Sequence, residues 1–234
     1  MALPKLETPT YELQLPSTGE KIKYRPFLVK EQKLLMVAQE SNDQTQVVNT
    51  VSNLVNSCTF NKVNASTSPV FDIEYLFLQI RGKSVGETVE VNITCPDDEK
   101  TRVPVKINLS DIFVQVTDEH TNVVKLTDTI SIHLRYPLMN DLDEVEKMSE
   151  SETVFKLLNT CVHEIHYGDN IYHRTDMSDK ELTEFIDQLT TSQFEKVMVF
   201  FNTMPKLRHP ITVTNPNTKK KSEVILEGLQ SFLE

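Results

Sequence analysis

The residues best able to do chemistry in this chain are histidines and carboxylates. His163-Glu164-Ile165-His166, with His173 downstream, is the strongest metal-ligating candidate, because imidazole nitrogen is a preferred donor for zinc. Read on a helix, histidines three apart lie near one another. A metalloprotease helix, however, spaces them four apart with a glutamate as base. On the helical wheel His163 and His166 fall away from the apolar stripe, so the expectation is a solvated helix face. Cys95-Pro96 looks like half of a zinc knuckle, but Asp97 and Asp98 stand where a second cysteine is needed. An acidic hairpin tip is expected there, with Cys95 the first thiol to react. No Gly-x-Ser-x-Gly elbow exists for a serine nucleophile, and no Cys/His signature for a thiol one. The acidic stretch 141–152 lacks the order of a calcium loop and reads as a solvated helix surface.

The elements that must position these groups are legible from periodicity. Tyr11, Leu13 and Leu15 alternate with polar residues, Pro16-Ser17-Thr18-Gly19 turns the chain, and 21–24 returns as a second strand. Helical spacing follows through Leu34, Leu35, Val37 and Ala38, then through Val47, Val48, Val51, Leu54, Val55 and Cys58. Between Val70 and Ile80 apolar residues cover nearly the whole circumference, so this helix is expected to be buried on most sides, by its own domain or partly by another chain. Arg81-Gly82-Lys83-Ser84 is expected to end it. Two alternating strands, 89–93 and 103–109, form a hairpin, and Ile130, Ile132 and Leu134 mark another strand. Ser149/Glu152, Ser178/Glu181 and Ser192/Glu195 fit the capping-box spacing for three helices. The stripe of the first runs from Val154 through Ile165, and Pro205 stops the third. Ile211–Val213 and Val224–Leu226 close the chain as a hairpin.

This order predicts an α+β fold: an N-terminal hairpin and helices over 1–86, a β-rich region with a central antiparallel hairpin over 87–137, and C-terminal helices with a closing hairpin over 138–234, as three regions or one continuous domain. No repeat of solenoid period is visible. Composition bounds the function. The chain has 234 residues and a net charge of −10, a poor match to phosphate-facing cations, and the Lys219–Lys221 run is too short to offset it. Its 5 glycines fall in no phosphate-cradling pattern. The first 15 residues hold no apolar leader, and no run approaches a membrane span. Three widely spaced cysteines (Cys58, Cys95, Cys161) argue for a reduced, cytosolic setting, with Cys58 and Cys161 packed as small hydrophobes.

Several segments together resemble the baseplate hub and hub-assembly proteins of T-even-type contractile-tailed bacteriophages. They are 71–87 (FDIEYLFLQIRGKSVGE) leading into the Cys95 hairpin and Asn108-Leu109-Ser110; the opening Leu3-Pro4-Lys5-Leu6 with Tyr24-Arg25-Pro26-Phe27; and Phe194 to Pro205 with the terminal Gly228-Leu229-Gln230-Ser231-Phe232. The resemblance implies a non-enzymatic protein that builds the central hub as subunit or assembly chaperone. Its implied partners are other tail and hub proteins, with no cofactor, metal, nucleic acid or membrane. Its implied place is the host cytoplasm during assembly, with the virion baseplate as the other destination. On this reading Phe71, Tyr75, Phe77, Leu78, Arg81 and Lys83 are the expected partner-binding residues. The competing reading is a metal-dependent hydrolase using His163, His166 and an acidic partner.

Overall fold

Alternating polarity from Tyr11 to Tyr24 produces the expected hairpin. In the computed structural model, which describes residues 6–41, 43–145 and 148–232, β1 (Tyr11–Gln14) pairs antiparallel with β2 (Lys21–Tyr24). Residues 1–5, which include Leu3-Pro4-Lys5 of the opening and the start of the segment read for a leader, lie outside the described residues. Gly19 makes the turn at φ +70°. The chain then enters α1 (Val29–Glu40) and α2 (Gln44–Cys58). Of the apolar residues of α1, Leu35 and Ala38 point inward, whereas Leu34 and Val37 face out.

The nearly all-apolar helix is α3 (Val70–Val85), one turn longer than its composition suggested. The Ser84 hydroxyl donates to the Ile80 carbonyl (2.6 Å) within the helix, and the stop comes at Gly86, whose φ of +124° disfavours any residue with a Cβ. Ile73, Leu76, Phe77, Leu78 and Ile80 are wholly buried. The central hairpin follows as β3 (Thr88–Thr94) and β4 (Arg102–Asn108), then β5 (Phe113–Gln115).

The contacts divide the chain differently from the three-part segmentation read from sequence. One compact unit holds residues 1–115 and 206–234, and the other holds 116–205. The second unit carries β6 (Val123–Lys125), β7 (Ile130–Leu134), α4 (Met139–Val145), α5 (Glu150–Cys161), β8 (Val162–Tyr167), β9 (Asn170–His173), α6 (Asp179–Asp187) and α7 (Thr191–Thr203). Its sheet order is β6-β7-β8-β9. One face of this sheet, including Ile132, Leu134, Val162 and Ile165, packs with Leu158, Leu182, Val197 and Phe200 as a core. The chain ends in the first unit as β10 (Lys206–Thr214) and β11 (Lys221–Glu227), in the order β11-β10-β5. The fold is α+β, with small antiparallel sheets among helices. No helix among the described residues is long and apolar enough to cross a membrane.

Two of the three expected capping boxes form, at Ser149/Glu152 and Ser178/Glu181. The third sits two residues earlier than expected: Thr190 and Gln193, not Ser192 and Glu195, cap α7. Both pairs have the required spacing. The Leu182–Leu189 run ends in time for Thr190 to take the extended backbone that an N-cap needs.

The chain builds one corner twice. After β2, Arg25 donates to the carbonyl of Pro26 (2.9 Å) and to Glu31 (2.9 Å), and Glu31 also accepts the Leu28 N–H (2.6 Å), capping α1. The Arg25 N–H bonds the carbonyl of Cys58, the last residue of α2, at 2.9 Å. After β7, Arg135 donates to the carbonyl of Tyr136 (3.0 Å) and to Asp141 (2.7 Å), and Asp141 accepts the Leu138 N–H (2.8 Å). The Arg135 N–H bonds the carbonyl of Cys161, the last residue of α5, at 2.8 Å. Asp141 is therefore a buried helix cap, not part of a solvated acidic face. Two later hairpins match as well. In each, the tip residue at Cys95 or Asn215 accepts the N–H of a residue at positive φ, Glu99 or Lys219, and both lead into a 3₁₀ turn.

All three cysteines are buried, including Cys95, which is 0% exposed despite its place at the hairpin tip. Its N–H and carbonyl bond Thr101 and Glu99 across the turn, and that closed loop leaves its side chain inward. Burial pushes the Cys58 thiol up to about 11 and the Cys161 thiol up to about 12. In native protein at pH 8, a thiol reagent should therefore label none of the three quickly, and all three only after denaturant is added. Fast labelling of Cys95 alone would contradict its burial.

Candidate functional site

The sequence placed His163 and His166 on a helix, and the structure corrects this. The helix stops at Cys161, and 162–167 is the strand β8. A stripe through Val154, Phe155, Leu158, Cys161, Val162 and Ile165 fits helical spacing. Yet Val162 and Ile165 are also inward positions of a bulged strand paired with Leu134 and Ile132. The pairing skips one residue between His133/Leu134 and Glu164/Val162, which leaves His163 as the bulge. Tyr167 and Asn170 close a two-residue turn with Gly168 first, at φ +55°.

That register assembles a cluster on the sheet face opposite the core. His133, Glu164 and His173 lie in one cross-strand row over β7, β8 and β9. His166, two residues along from Glu164, shares their face. The His166 Nε2 and Glu164 Oε2 are 2.8 Å apart, and His173 Nδ1 lies 3.1 Å from Glu164 Oε1. The His133 ring stacks on His166 with centroids 3.9 Å apart. His163, at the margin, is 3.7 Å from Glu164 and mostly exposed. Ligand atoms of His133, Glu164 and His166 all lie within 4.8 Å of one another, and all three residues are half-buried.

The electrostatics follow from this crowding. The hydrogen bond from His166 leads in holding the Glu164 carboxyl below its ordinary range, against the opposing effect of burial, and the electrostatic influence of His173, His163 and His166 adds to it. Burial, then the neighbouring His166, lowers His133. Beside the cluster lies a polar cavity of about 700 Å³ lined by Lys125, Thr127, Thr129, Ser131, His166 and Lys196, among others. His133 went unnoticed in the sequence. Its signal was the alternation Ile130-Ser131-Ile132-His133-Leu134, which sets it on the polar face, together with the Gly168-Asp169 turn that brings β8 and β9 beside it.

The residues expected to bind a partner are not gathered into a free surface. Phe71, Phe77 and Leu78 are buried in the core of their own unit, Tyr75 and Arg81 are half-buried, and Lys83 is exposed. Lys83 pairs with Glu87 and lies 5.4 Å from the centre of the Tyr11 ring. Arg81 keeps one buried nitrogen, Nη1, without a hydrogen-bond partner. On the solvent side of α1, Val29, Leu34, Met36 and Val37 are 67%, 62%, 52% and 57% exposed, set among exposed Lys30, Lys33 and Glu40.

The family model for the T4 bacteriophage base plate protein matches residues 8–234, and the chain belongs to that family. It is a phage baseplate protein. No curated protein and no solved structure matches it.

Proposed function

We propose that the protein acts in the central hub of a contractile-tail baseplate, as hub subunit or hub-assembly chaperone, through protein–protein contacts and without catalysis. Membership of the baseplate family over nearly the whole chain carries this reading. The exposed apolar side chains of α1, set among Lys30, Lys33 and Glu40, support it, because large apolar side chains gathered in water mark an association surface, and the partner is another tail protein presenting an apolar surface with a polar rim. The exposed end of α3 at Lys83 extends the proposal to a polar rim where a partner carboxylate binds. The protein then works in the host cytoplasm during assembly.

The test is co-purification of hub proteins from infected cells. Met36→Lys with Val37→Asp places charges on exposed positions, where substitutions change stability by about 0.5 kcal/mol or less. This variant should stay folded and lose hub partners, and Lys83→Glu should weaken capture further. Arg81→Glu is unsuitable, because it would bury a carboxylate. Full capture by the folded α1 variant would contradict the assignment of that face.

A further inference from the structure

We propose that His133, Glu164 and His166 form a binding site for one borderline transition-metal ion of the zinc class, with His173 holding the carboxylate in place. The argument is independent of the baseplate reading and rests on strand register. Two imidazoles and one carboxylate reach one point from adjacent strands, β7 and β8, with ligand atoms already within 4.8 Å of one another. Such a donor set suits zinc and its neighbours, whereas calcium and magnesium prefer oxygen ligands alone.

The cluster as it stands needs only local change to load. A zinc tetrahedron with bonds of about 2.0–2.1 Å separates its donors by roughly 3.3 Å. His166 Nε2 and Glu164 Oε2 are nearer than that, at 2.8 Å, and a shared hydrogen holds them together. With the ring proton on Nδ1, His166 presents a lone pair at Nε2, and the ion takes the place of that hydrogen. His133, stacked on His166, must turn from face-on to edge-on. His133 is half-buried on the outer face, not enclosed in the core.

His173 Nδ1 sits 3.1 Å from the other carboxylate oxygen, where it fixes the orientation of Glu164. An imidazole beside a liganding carboxylate typically changes metal affinity about 10–100-fold. His163 belongs to the bulge and not to the ligand set. Three protein ligands leave at least one position open, and His166 also lines the polar cavity, which gives solvent or a small anion access to it. Lys125, Lys196 and Asp128 all line that cavity, so it carries charges of both signs.

The test uses the untagged full chain titrated with Co²⁺, read by visible absorption, and with Zn²⁺, read by thermal unfolding. One equivalent of Co²⁺ should give a saturable d–d band that Zn²⁺ displaces and Ca²⁺ does not. His133→Ala and His166→Ala should weaken binding at least ~10-fold, His173→Gln about 10-fold, and His163→Ala by less than ~3-fold. Circular dichroism checks folding, and His166→Gln replaces the alanine variant if that one unfolds. No saturable band in the wild-type chain, equal competition by Ca²⁺, or equal losses in His163→Ala and His166→Ala would overturn the site.

Discussion

Replacing Arg25 with methionine should destabilise the protein by roughly 3 kcal/mol, the cost expected when one partner of a buried ion pair is removed. The side chains of Arg25 and Glu31 are 12% and 7% exposed. Burial alone would raise the Glu31 carboxyl, but the Arg25 hydrogen bond and the Leu28 N–H outweigh it and hold the group below its ordinary range. Arg25 also donates to the Ser57 hydroxyl at 3.0 Å, so its loss detaches the end of α2 as well as the cap of α1. The matching change at Arg135 should cost less, about 1–2 kcal/mol, because that side chain is 32% exposed and water can replace part of what is lost. Urea unfolding of the two variants checks both size and order. Equal costs would mean that the two corners are alike in sequence but not in how far solvent screens them.

The second large effect is a pH dependence centred on Glu74. Burial pushes its carboxyl up to about 7, against a lowering hydrogen bond from the Leu229 N–H at 2.9 Å, with Glu227 adding a smaller upward push. A carboxyl whose value is raised by folding holds its proton longer in the folded state. Its contribution is therefore fully present below the ordinary value of 4.5 and is lost as pH rises through about 7. Allowing for partial exposure of the side chain, the loss is on the order of 2 kcal/mol. Glu74→Gln keeps an oxygen for the Leu229 N–H but never ionises. It should match the wild type near pH 4.5 and exceed it by about 2 kcal/mol near pH 8. Groups that titrate alike in both proteins cancel in this difference. A stability difference that stays constant across the range would show that Glu74 is not the group responsible.

Much of this architecture could be read from residue patterns, and the exceptions share a cause. Hairpins 11–24, 88–108 and 206–227 were visible because each keeps a period of two around a turn of its own. Two helix starts were visible because a capping box is a local device. Local spacing failed where distant partners decide. At Val162–Tyr167 a helical stripe and a bulged strand place the same apolar residues inward, and only β7 selects the strand. Cys95 is at a tip by sequence and buried by the loop that closes around it. The apolar residues of α3 are buried in their own unit, so composition alone could not tell core from interface. The repeated corner was hidden for a different reason. Only Arg25, its carboxylate partner and the terminal cysteine recur in recognisable form, and the pattern emerges when their hydrogen bonds are compared. The histidine cluster needed three strands in register before Glu164 could be seen at its centre.

The central claim is that this baseplate protein works by association with hub proteins. The most direct measurement is quantitative mass spectrometry of sedimented tail assemblies and of purified virions, each compared with the free protein pool of the infected cell. The account predicts that the chain co-sediments with hub proteins in the assembling tail, whether or not it persists in the virion. Recovery only in the free pool, with no hub protein accompanying it at any stage of assembly, would contradict it.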